Sequence, residues 1–231
     1  MIVAIIPALD EEGTIAEIVR GIAAYVDRVV VVDNRSSDRT ASLAREAGAD
    51  VVRQPERGYG AACLAGIAHA RELGSSILVF LDGDGSDDPS EAPLLIEPVS
   101  SGDADLALGV RRAETIAPRA MTPPQRFGNW LAPALMRAVL GARYSDLPPF
   151  KAIRVDALER LALSDRGHGF TIELLLRAHA LRLRVVERPV HCRPRAAGVS
   201  KVSGTLSGSA RAAVKILTSI ATHALRSRER N

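Results

Sequence analysis

The chain has 231 residues, of which 47% are hydrophobic and 25% are charged, and its formal net charge is +3. This length allows one α/β domain with a substantial core, and the composition excludes a disordered or fibrous protein. The chain opens into a strand-like run rather than a secretion signal, and no apolar run is long enough to cross a bilayer. We therefore expect a cytoplasmic protein.

The first half of the chain alternates short apolar runs with helical patterns, which predicts βαβ units and a mainly parallel sheet. The predicted strands are Ile2–Ile6, Val29–Asp33, Asp50–Arg53, Ile77–Asp82 and Asp105–Val110. The predicted helices between them are Thr14–Tyr25, Asp38–Ala47, Ala61–Leu73 and Ser90–Val99. Continuous Val/Ile runs are typical of strands that are buried on both faces. The expected fold class is α/β, with a central sheet flanked by helices.

The second half begins with a break in this pattern. Residues 111–124 are polar and rich in proline, which predicts a loop over the ligand-binding edge of the sheet. A helix at Arg126–Leu140 and a further α/β stretch at Asp146–Val190 are expected to follow. The tail Thr205–Leu225 has apolar residues at helical spacing together with basic residues, which predicts an amphipathic helix. That helix either covers the core or lies on a membrane surface.

The two cysteines, Cys63 and Cys192, lie far apart in unlike contexts. We expect two reduced, packed thiols, and a disulfide or a shared metal is the alternative.

Acidic residues follow three of the predicted strands, in the segments 7–11, 32–34 and 81–84. Ligands of open parallel sheets bind at the carboxyl ends of the strands, where these segments would meet. Carboxylates gathered there repel one another unless a cation or hydrogen-bond donors lie between them. This convergence predicts a ligand site at that edge.

The motif Asp82-Gly83-Asp84 ends a buried strand and places two carboxylates one residue apart. Such a pair can share Mg²⁺ or Mn²⁺ and leave coordination positions open for a diphosphate. The alternative is a turn of helix-capping aspartates ahead of Pro89. A calcium-binding EF loop is excluded because its glycine and its closing glutamate are missing.

The glycines Gly58 and Gly60 do not form a dinucleotide-binding fingerprint, because a third glycine is missing and the first strand does not precede them. They predict a tight turn into a helix that packs beneath the site.

Taken in order, five segments resemble the inverting family-two glycosyltransferases, in particular the dolichyl- or polyprenyl-phosphate mannose and glucose synthases. IIPALDE at residues 5–11 is similar to the family's IPxYNE, and VVVDNRSSDRT at residues 30–40 is similar to VVDDxSxDxT. Residues 82–84 match its metal-binding DxD, residues 170–174 its FxxEL and residues 198–201 its GxSK. The resemblance covers almost the whole chain.

This resemblance implies a GT-A fold in one domain, residues 1–204, with a nucleotide-sugar-binding half at 1–110, an acceptor half at 111–204 and a C-terminal basic helix at 205–231. The base and ribose of the donor would be held by Pro7, Leu9, Glu11 and Asp33. Metal, ribose and diphosphate contacts would come from Asp82, Gly83, Asp84 and Ser86, with Asp82, Asp84 and Ser86 nearest the metal. The diphosphate or an acceptor phosphate would be surrounded by Arg111, Arg126, Arg195, Ser200 and Lys201.

The resemblance further implies inverting transfer of a hexose from a UDP- or GDP-sugar, with Mg²⁺ or Mn²⁺ as cofactor and a polyprenyl phosphate as acceptor. A phosphate acceptor needs no general base, because its second pKa is about 6. A hydroxyl acceptor does need one, and Glu173 is the candidate, the alternative being a structural carboxylate that faces Arg177. His168 and His191 are interpreted as structural. For each arginine named for a phosphate, the alternative is a solvated surface charge.

The chain departs from the family motifs at several positions. Leu9 replaces a tyrosine, Asp10 an asparagine and Asn34 the second aspartate of DD, while residues 146–151 replace TDxxSGF. The rival functions are transfer to a small or protein hydroxyl, a nucleotidyltransferase, and a non-catalytic nucleotide-sugar-binding protein. We expect no nucleic-acid partner, the C-terminal helix is the candidate for peripheral contact with the inner face of the cell membrane, and oligomerisation is left open.

Overall fold

The computed structural model of the protein describes residues 1–118 and 120–195. Its strands are β1 Ile2–Ala8, β2 Arg28–Asp33, β3 Asp50–Arg53, β4 Ile77–Phe80, β5 Leu106–Val110, β6 Lys151–Arg154 and β7 Val185–Pro189. Its helices are α1 Ile15–Ala23, α2 Thr40–Glu46, α3 Tyr59–Glu72, α4 Ala92–Ser100, α5 Pro123–Leu140, α6 Val155–Leu161 and α7 Phe170–Ala180. Short 3₁₀ turns lie at Pro89–Glu91 and Ala113–Thr115.

The strands form one sheet in the order β3-β2-β1-β4-β6-β5-β7. Only the pairings of β6 with β4 and with β5 are antiparallel, so β6 runs against the other strands of this sheet. The expected α/β fold with a mainly parallel sheet is confirmed.

Two hydrophobic clusters lie on opposite faces of the sheet. Successive residues of β1 alternate between them, with Val3 and Ile5 in one cluster and Ala4 and Ile6 in the other. All four side chains are fully buried. This is the arrangement that an unbroken apolar strand predicts when helices cover both faces of its sheet.

Most boundaries differ from the prediction by one to three residues, and two of these differences concern segments near the acidic residues or the predicted loop. Strand β4 ends at Phe80 rather than at Asp82, because the chain turns away from the sheet where the acidic residues begin. Helix α5 begins at Pro123, which the prediction placed in the loop. Proline is tolerated in the first helical turn, where a backbone N–H has no intrahelical acceptor.

The prediction for the C-terminal helix, residues 205–231, lies outside the described residues. No helix in the part of the chain that the structure describes combines the length and the hydropathy that a bilayer span requires.

Candidate active site

The carboxyl ends of β1, β2 and β4 meet at one edge of the sheet, as the acidic segments predict. Ala8 pairs with Asp33 in the register of β1 and β2, and the backbone N–H of Asn34 donates to the carbonyl of Ala8 at 2.9 Å. The hydroxyl of Thr14, just before α1, donates to the carbonyl of Gly83 at 2.7 Å. This buried bond joins the start of α1 to the DGD segment and fixes its path across the edge.

Asp84 is the centre of the charged contacts at this edge. Its side chain is buried, and its Oδ1 accepts the backbone N–H of Ser86 at 2.9 Å. Its Oδ2 lies 2.7 Å from Nη2 of Arg195, and Nη1 of the same guanidinium lies 3.6 Å from Oε1 of buried Glu11. Arg195 therefore connects the segment after β1 to the segment after β4.

Asp82 and Asp87 add negative charge beside Asp84. The Oδ2 atom of Asp87 accepts the backbone N–H of Asp82 at 3.0 Å. Burial, reinforced by the carboxylates of Asp84 and Asp87, raises the pKa of Asp82 to about 8. Burial is also the main cause that raises the pKa of Asp87 to about 6. The raised pKa values show that the surrounding protein does not fully stabilise these carboxylates in their charged form.

This charge imbalance fits a divalent cation at Asp82 and Asp84. In the described ranges, no three His, Cys, Asp or Glu side chains converge as a ready-made metal cage. Mg²⁺ is commonly bound by one or two carboxylates, with water and substrate phosphates completing its octahedron. The donor set therefore suits a metal that arrives with a diphosphate.

The predicted base and ribose residues lie on the neighbouring strand ends. Pro7 and Leu9 are partly exposed at the end of β1, and Asp33 is buried at the end of β2. The Oδ1 atom of Asp33 accepts the backbone N–H of Ser36 at 2.9 Å. Asp10, where the family has asparagine, accepts the N–H and the hydroxyl of Ser37. The structure thus places these residues together, and their contacts with a nucleotide stay predictions.

Asn34, which replaces an aspartate of the family motif, has a structural task. Its Nδ2 donates to the carbonyls of Gln54 and Glu56, and its Oδ1 accepts the N–H of Gly58 at 2.8 Å. A carboxylate could not donate to these two carbonyls. The amide at this position therefore holds the segment that leads into α3.

The turn into α3 confirms the prediction for its two glycines. Gly58 has a φ of 153°, and a Cβ on Gly60 would lie 2.0 Å from the carbonyl oxygen of Asp165. The N–H groups of Gly60 and Ala61 donate to the carbonyls of Gly167 and Arg166. Residues 165–167 therefore pack directly on the start of α3, which no larger side chain would allow.

Glu173, the candidate base on α7, anchors this same loop. Its Oε2 accepts the N–H groups of Ser164 and Asp165, and its Oε1 accepts the Ser164 hydroxyl. Arg177 contacts Oε1 at 2.8 Å, as the structural interpretation of Glu173 expects. Burial raises its pKa, but these hydrogen bonds and Arg177 outweigh burial and lower it overall. The contacts of Glu173 are those of an anchoring carboxylate, and its role as a base stays a prediction.

The arginines predicted for phosphate binding lie in three different settings. Arg195 contacts the acidic cluster, as described above. Arg111 instead forms a bidentate ion pair with buried Asp146, in which Nε lies 2.7 Å from Oδ2 and Nη2 lies 2.9 Å from Oδ1. Arg126 is exposed on α5. Phosphate binding by Arg111 and Arg126 stays a prediction, while Ser200 and Lys201 lie outside the described residues.

Lys151 was not among the predicted site residues. Its side chain is fully buried on β6, its Nζ donates to the carbonyls of Pro148 and Pro149, and it lies 5.5 Å from the centre of the Phe80 ring. Burial lowers its pKa, against the opposing effect of Cys63, Asp82 and other neighbouring groups. The rarity of lysine is the sequence signal that could have identified this residue, because the lysines of the chain are Lys151, Lys201 and Lys215.

Other side chains have simpler settings. Cys63 and Cys192 are both buried free thiols, as predicted. Burial raises the pKa of Cys63 to about 12, so this thiol is unreactive at neutral pH. His191 contacts Glu91 through Nδ1 at 2.7 Å, which agrees with its structural interpretation.

Comparison with known proteins places this site in context. The family model described as Glycosyl transferase family 2 matches residues 3–162. An uncharacterized glycosyltransferase of Mycobacterium tuberculosis is 38% identical over 205 residues, which cover 89% of this chain and 91% of that protein. The polyprenol monophosphomannose synthase of Mycolicibacterium smegmatis is 35% identical to this chain, and the alignment covers 87% of this chain and 80% of that protein.

Among solved structures, this chain is similar to the glucosyl-3-phosphoglycerate synthase of Mycobacterium tuberculosis, crystallised with phosphoglyceric acid. The TM-score is 0.75 at 25% identity, and the alignment covers 94% of this chain and 79% of that chain. The acidic cluster described above lies within residues 3–162, whereas Arg195 lies beyond them.

Proposed function

The chain belongs to glycosyl transferase family 2, and on that premise we propose that it transfers a hexose from a UDP- or GDP-sugar to a polyprenyl phosphate, with inversion at the anomeric carbon. It is a glycosyltransferase whose relatives include polyprenyl-phosphate sugar transferases. The observation that carries the proposal is the cluster of Asp82, Asp84 and Asp87 at the carboxyl edge of the sheet, with the Arg195 guanidinium 2.7 Å from Asp84.

The cluster suits the departure of a nucleoside diphosphate. Asp82 and Asp84 would hold Mg²⁺ or Mn²⁺, with Ser86 close by, and the bound metal would neutralise charge on the leaving diphosphate. The planar guanidinium of Arg195 can donate two parallel N–H bonds to phosphate oxygens. Pro7, Leu9, Glu11 and Asp33 lie at the adjoining strand ends and would hold the base and ribose.

A phosphate acceptor is the chemistry that the contacts of Glu173 favour. An acceptor dianion attacks the anomeric carbon without losing a proton, so no base is needed in line with the leaving group. Glu173 has four polar contacts with Ser164, Asp165 and Arg177, and its pKa is lowered rather than raised toward neutrality. A carboxylate that acts as a general base near neutral pH would need a raised pKa.

The second candidate is transfer to a hydroxyl of a small molecule, with Glu173 as base. The similarity to a glucosyl-3-phosphoglycerate synthase favours it, because that protein's name specifies a small phosphorylated acid. The two candidates share the donor site and differ in the acceptor. They are therefore separated by acceptor assays and not by nucleotide binding.

The test begins with thermal shifts for UDP, GDP, UDP-glucose and GDP-mannose, each with and without Mn²⁺. We expect one nucleotide to raise the melting temperature only with metal, and Asp84→Asn to abolish that rise. Asp103→Asn, an exposed carboxylate just ahead of β5 at the opposite end of the sheet, is the matched control and should respond like the wild type.

Transfer of labelled sugar from the selected donor is then measured with undecaprenyl phosphate and with 3-phosphoglycerate. Product with the first acceptor supports the proposal, and product with only the second supports the alternative. Metal-dependent nucleotide binding without turnover on any acceptor would identify a non-catalytic binding protein. No thermal shift with any nucleotide would refute the donor site itself.

A further inference from the structure

Helix α5 exposes large apolar side chains to solvent. Trp130 is 65% exposed and Val139 is 51% exposed. Both belong to an 18-residue helix, whereas an ordinary surface helix turns its apolar residues inward.

The buried side of α5 is formed by Ala132 and Met136, which are fully buried. Trp130, Ala134 and Ala138 follow one another four residues apart and form a continuous stripe on a different side of the helix. Trp130 and Ala138 are exposed, and Ala134 is partly exposed. We call Trp130, Ala134 and Ala138 the α5 apolar face. Val139 follows buried Ala132 by seven residues and therefore lies on the other side of the helix. The helix therefore has a second apolar surface in addition to the one that faces the core.

Positive charge accompanies this face. Between Glu114 and Asp146 the sequence contains no acidic residue and four arginines, Arg119, Arg126, Arg137 and Arg143. In the whole chain, 30 basic residues are nearly balanced by 27 acidic ones, so the imbalance is local. Arg126 and Arg137 are exposed on α5 itself and fall beside the stripe at helical spacing. An apolar face with a tryptophan and flanking arginines is the pattern of helices that lie in a membrane interface.

The α5 apolar face is linked to the candidate active site through a short chain of contacts. Asn129, next to Trp130, donates from Nδ2 to Oδ1 of Asp146 at 3.1 Å. Asp146 in turn holds Arg111, whose charge acts on buried Asp87 of the acidic cluster. The part of α5 that carries Asn129 and Trp130 therefore lies next to the loop that begins at Asp146.

We propose that the α5 apolar face docks on an anionic lipid bilayer, which holds the polyprenyl-phosphate acceptor. This inference rests on the proposed function, because a lipid acceptor requires the site to meet a membrane. A second copy of the chain is the other apolar occupant to weigh. Symmetric pairing of this face would bring the arginines of the two copies together without acidic partners on the helix, which disfavours it. Anionic headgroups complement the same arginines.

Trp130 makes the test direct, since it is the only tryptophan of the chain. The full-length wild type is titrated with vesicles of phosphatidylcholine, alone or mixed with phosphatidylglycerol. We expect a blue shift of the tryptophan emission with the mixed vesicles, quenching by brominated lipid, and loss of the shift at high salt. Vesicle binding without any change in emission would place the contact elsewhere in the chain and overturn the proposal.

Variants then separate docking from folding and from the donor site. Arg137→Gln should weaken binding to the mixed vesicles about fivefold, and Trp130→Ser should weaken it about tenfold, measured by flotation. Leu181→Ser and Arg20→Gln are matched controls on other surfaces and should bind as the wild type does. If Trp130→Ser instead converts a dimer to a monomer in light scattering, the face is a subunit interface and the proposal is wrong.

The failure of this inference is distinguishable from failure of the proposed function. Trp130→Ser should retain the metal-dependent thermal shift with nucleotide, because α5 contributes no residue to the acidic cluster. Vesicle docking without sugar transfer to undecaprenyl phosphate would contradict the acceptor, whereas transfer in detergent without docking would contradict the role of α5.

Discussion

Arg195 and Asp84 form an ion pair of 2.7 Å between Nη2 and Oδ2, and the same guanidinium reaches Glu11. Both partners of Arg195 are buried carboxylates. An arginine beside a predicted metal ligand supplies positive charge to Asp84, which a bound divalent metal would also supply. If the donor and its metal bind as proposed, they would compete with Arg195 for Asp84.

Removing this charge should separate metal binding from nucleotide binding. In Arg195→Gln, Asp84 loses its cationic partner, so we expect Mn²⁺ alone to bind several-fold more tightly by calorimetry. The diphosphate loses a charge-assisted contact, so nucleotide affinity at saturating Mn²⁺ should fall by about tenfold to a hundredfold. A parallel loss of both affinities would contradict competition between Arg195 and the metal, and Arg193→Gln is the control on the neighbouring surface pair with Asp88.

Glu173→Gln should act on stability more than on chemistry. The carboxylate accepts bonds from Ser164 and Asp165 and pairs with Arg177, so its loss should cost about 1–3 kcal/mol of unfolding free energy at neutral pH. Because the folded pKa is lowered below 4.5, this contribution is present above that pH and disappears as the pH falls through the folded pKa.

The measurement is urea unfolding of wild type and Glu173→Gln at several pH values, with exposed Glu17→Gln as the control. The difference between wild type and variant should narrow in acid. With undecaprenyl phosphate the turnover should change only mildly, and a loss of several orders of magnitude would instead identify Glu173 as a base.

Lys151→Met should strongly destabilise the fold. The substitution keeps the length of the side chain but removes the donor to Pro148 and Pro149 and the positive charge near Asp82. We expect a loss of about 3 kcal/mol in urea unfolding, because two carbonyls lose their partner and buried carboxylates lose a cation. Arg154→Met, on the same strand but with a partly exposed side chain paired to exposed Asp156, should change stability little. Equal effects of the two variants would refute a special role for Lys151.

Restoring the family's aspartate at position 34 should be harmful in this chain. Asn34→Asp turns two donated hydrogen bonds, to Gln54 and Glu56, into contacts between oxygens. We expect a destabilisation of about 2–3 kcal/mol and a larger loss than for Asn34→Ala, because alanine adds no buried charge. Thermal unfolding of the two variants measures the difference. An Asn34→Asp variant as stable as wild type would show that the segment after β3 is held by other contacts.

Much of the acidic edge of the sheet could be predicted because its determinants are local. A buried apolar strand that ends in acidic residues specifies both the strand and the position of its charge, and Asp33 and Asp82 both follow such runs. The register of parallel neighbours then brings these ends together. The glycines at 58 and 60 were equally informative, since the close approach of residues 165–167 excludes a side chain there.

The remaining features depend on contacts between distant segments. Arg111 has the residue type for a phosphate, yet a buried aspartate 35 positions away forms the better partner. Lys151 lies in a segment that departs from the family motif, and its burial follows from the insertion of β6 beside β4, which no local pattern encodes. The exposure of Trp130 could not be predicted either. Helical spacing shows which residues share a face of the helix, but it does not show which of those faces packs against the core.

The position of β6 has a consequence for synthesis on the ribosome. Strand β5 is made before β6, yet it has no contact in the sheet with β4, because β6 lies between them. A nascent chain that has emerged only as far as residue 110 therefore holds β5 without either of its neighbours, since β7 is also still to come. The sheet can close only after residue 154 has left the exit tunnel. We expect truncations at residue 110 to aggregate rather than to bind nucleotide, because residues 1–110 would not fold as a separate unit.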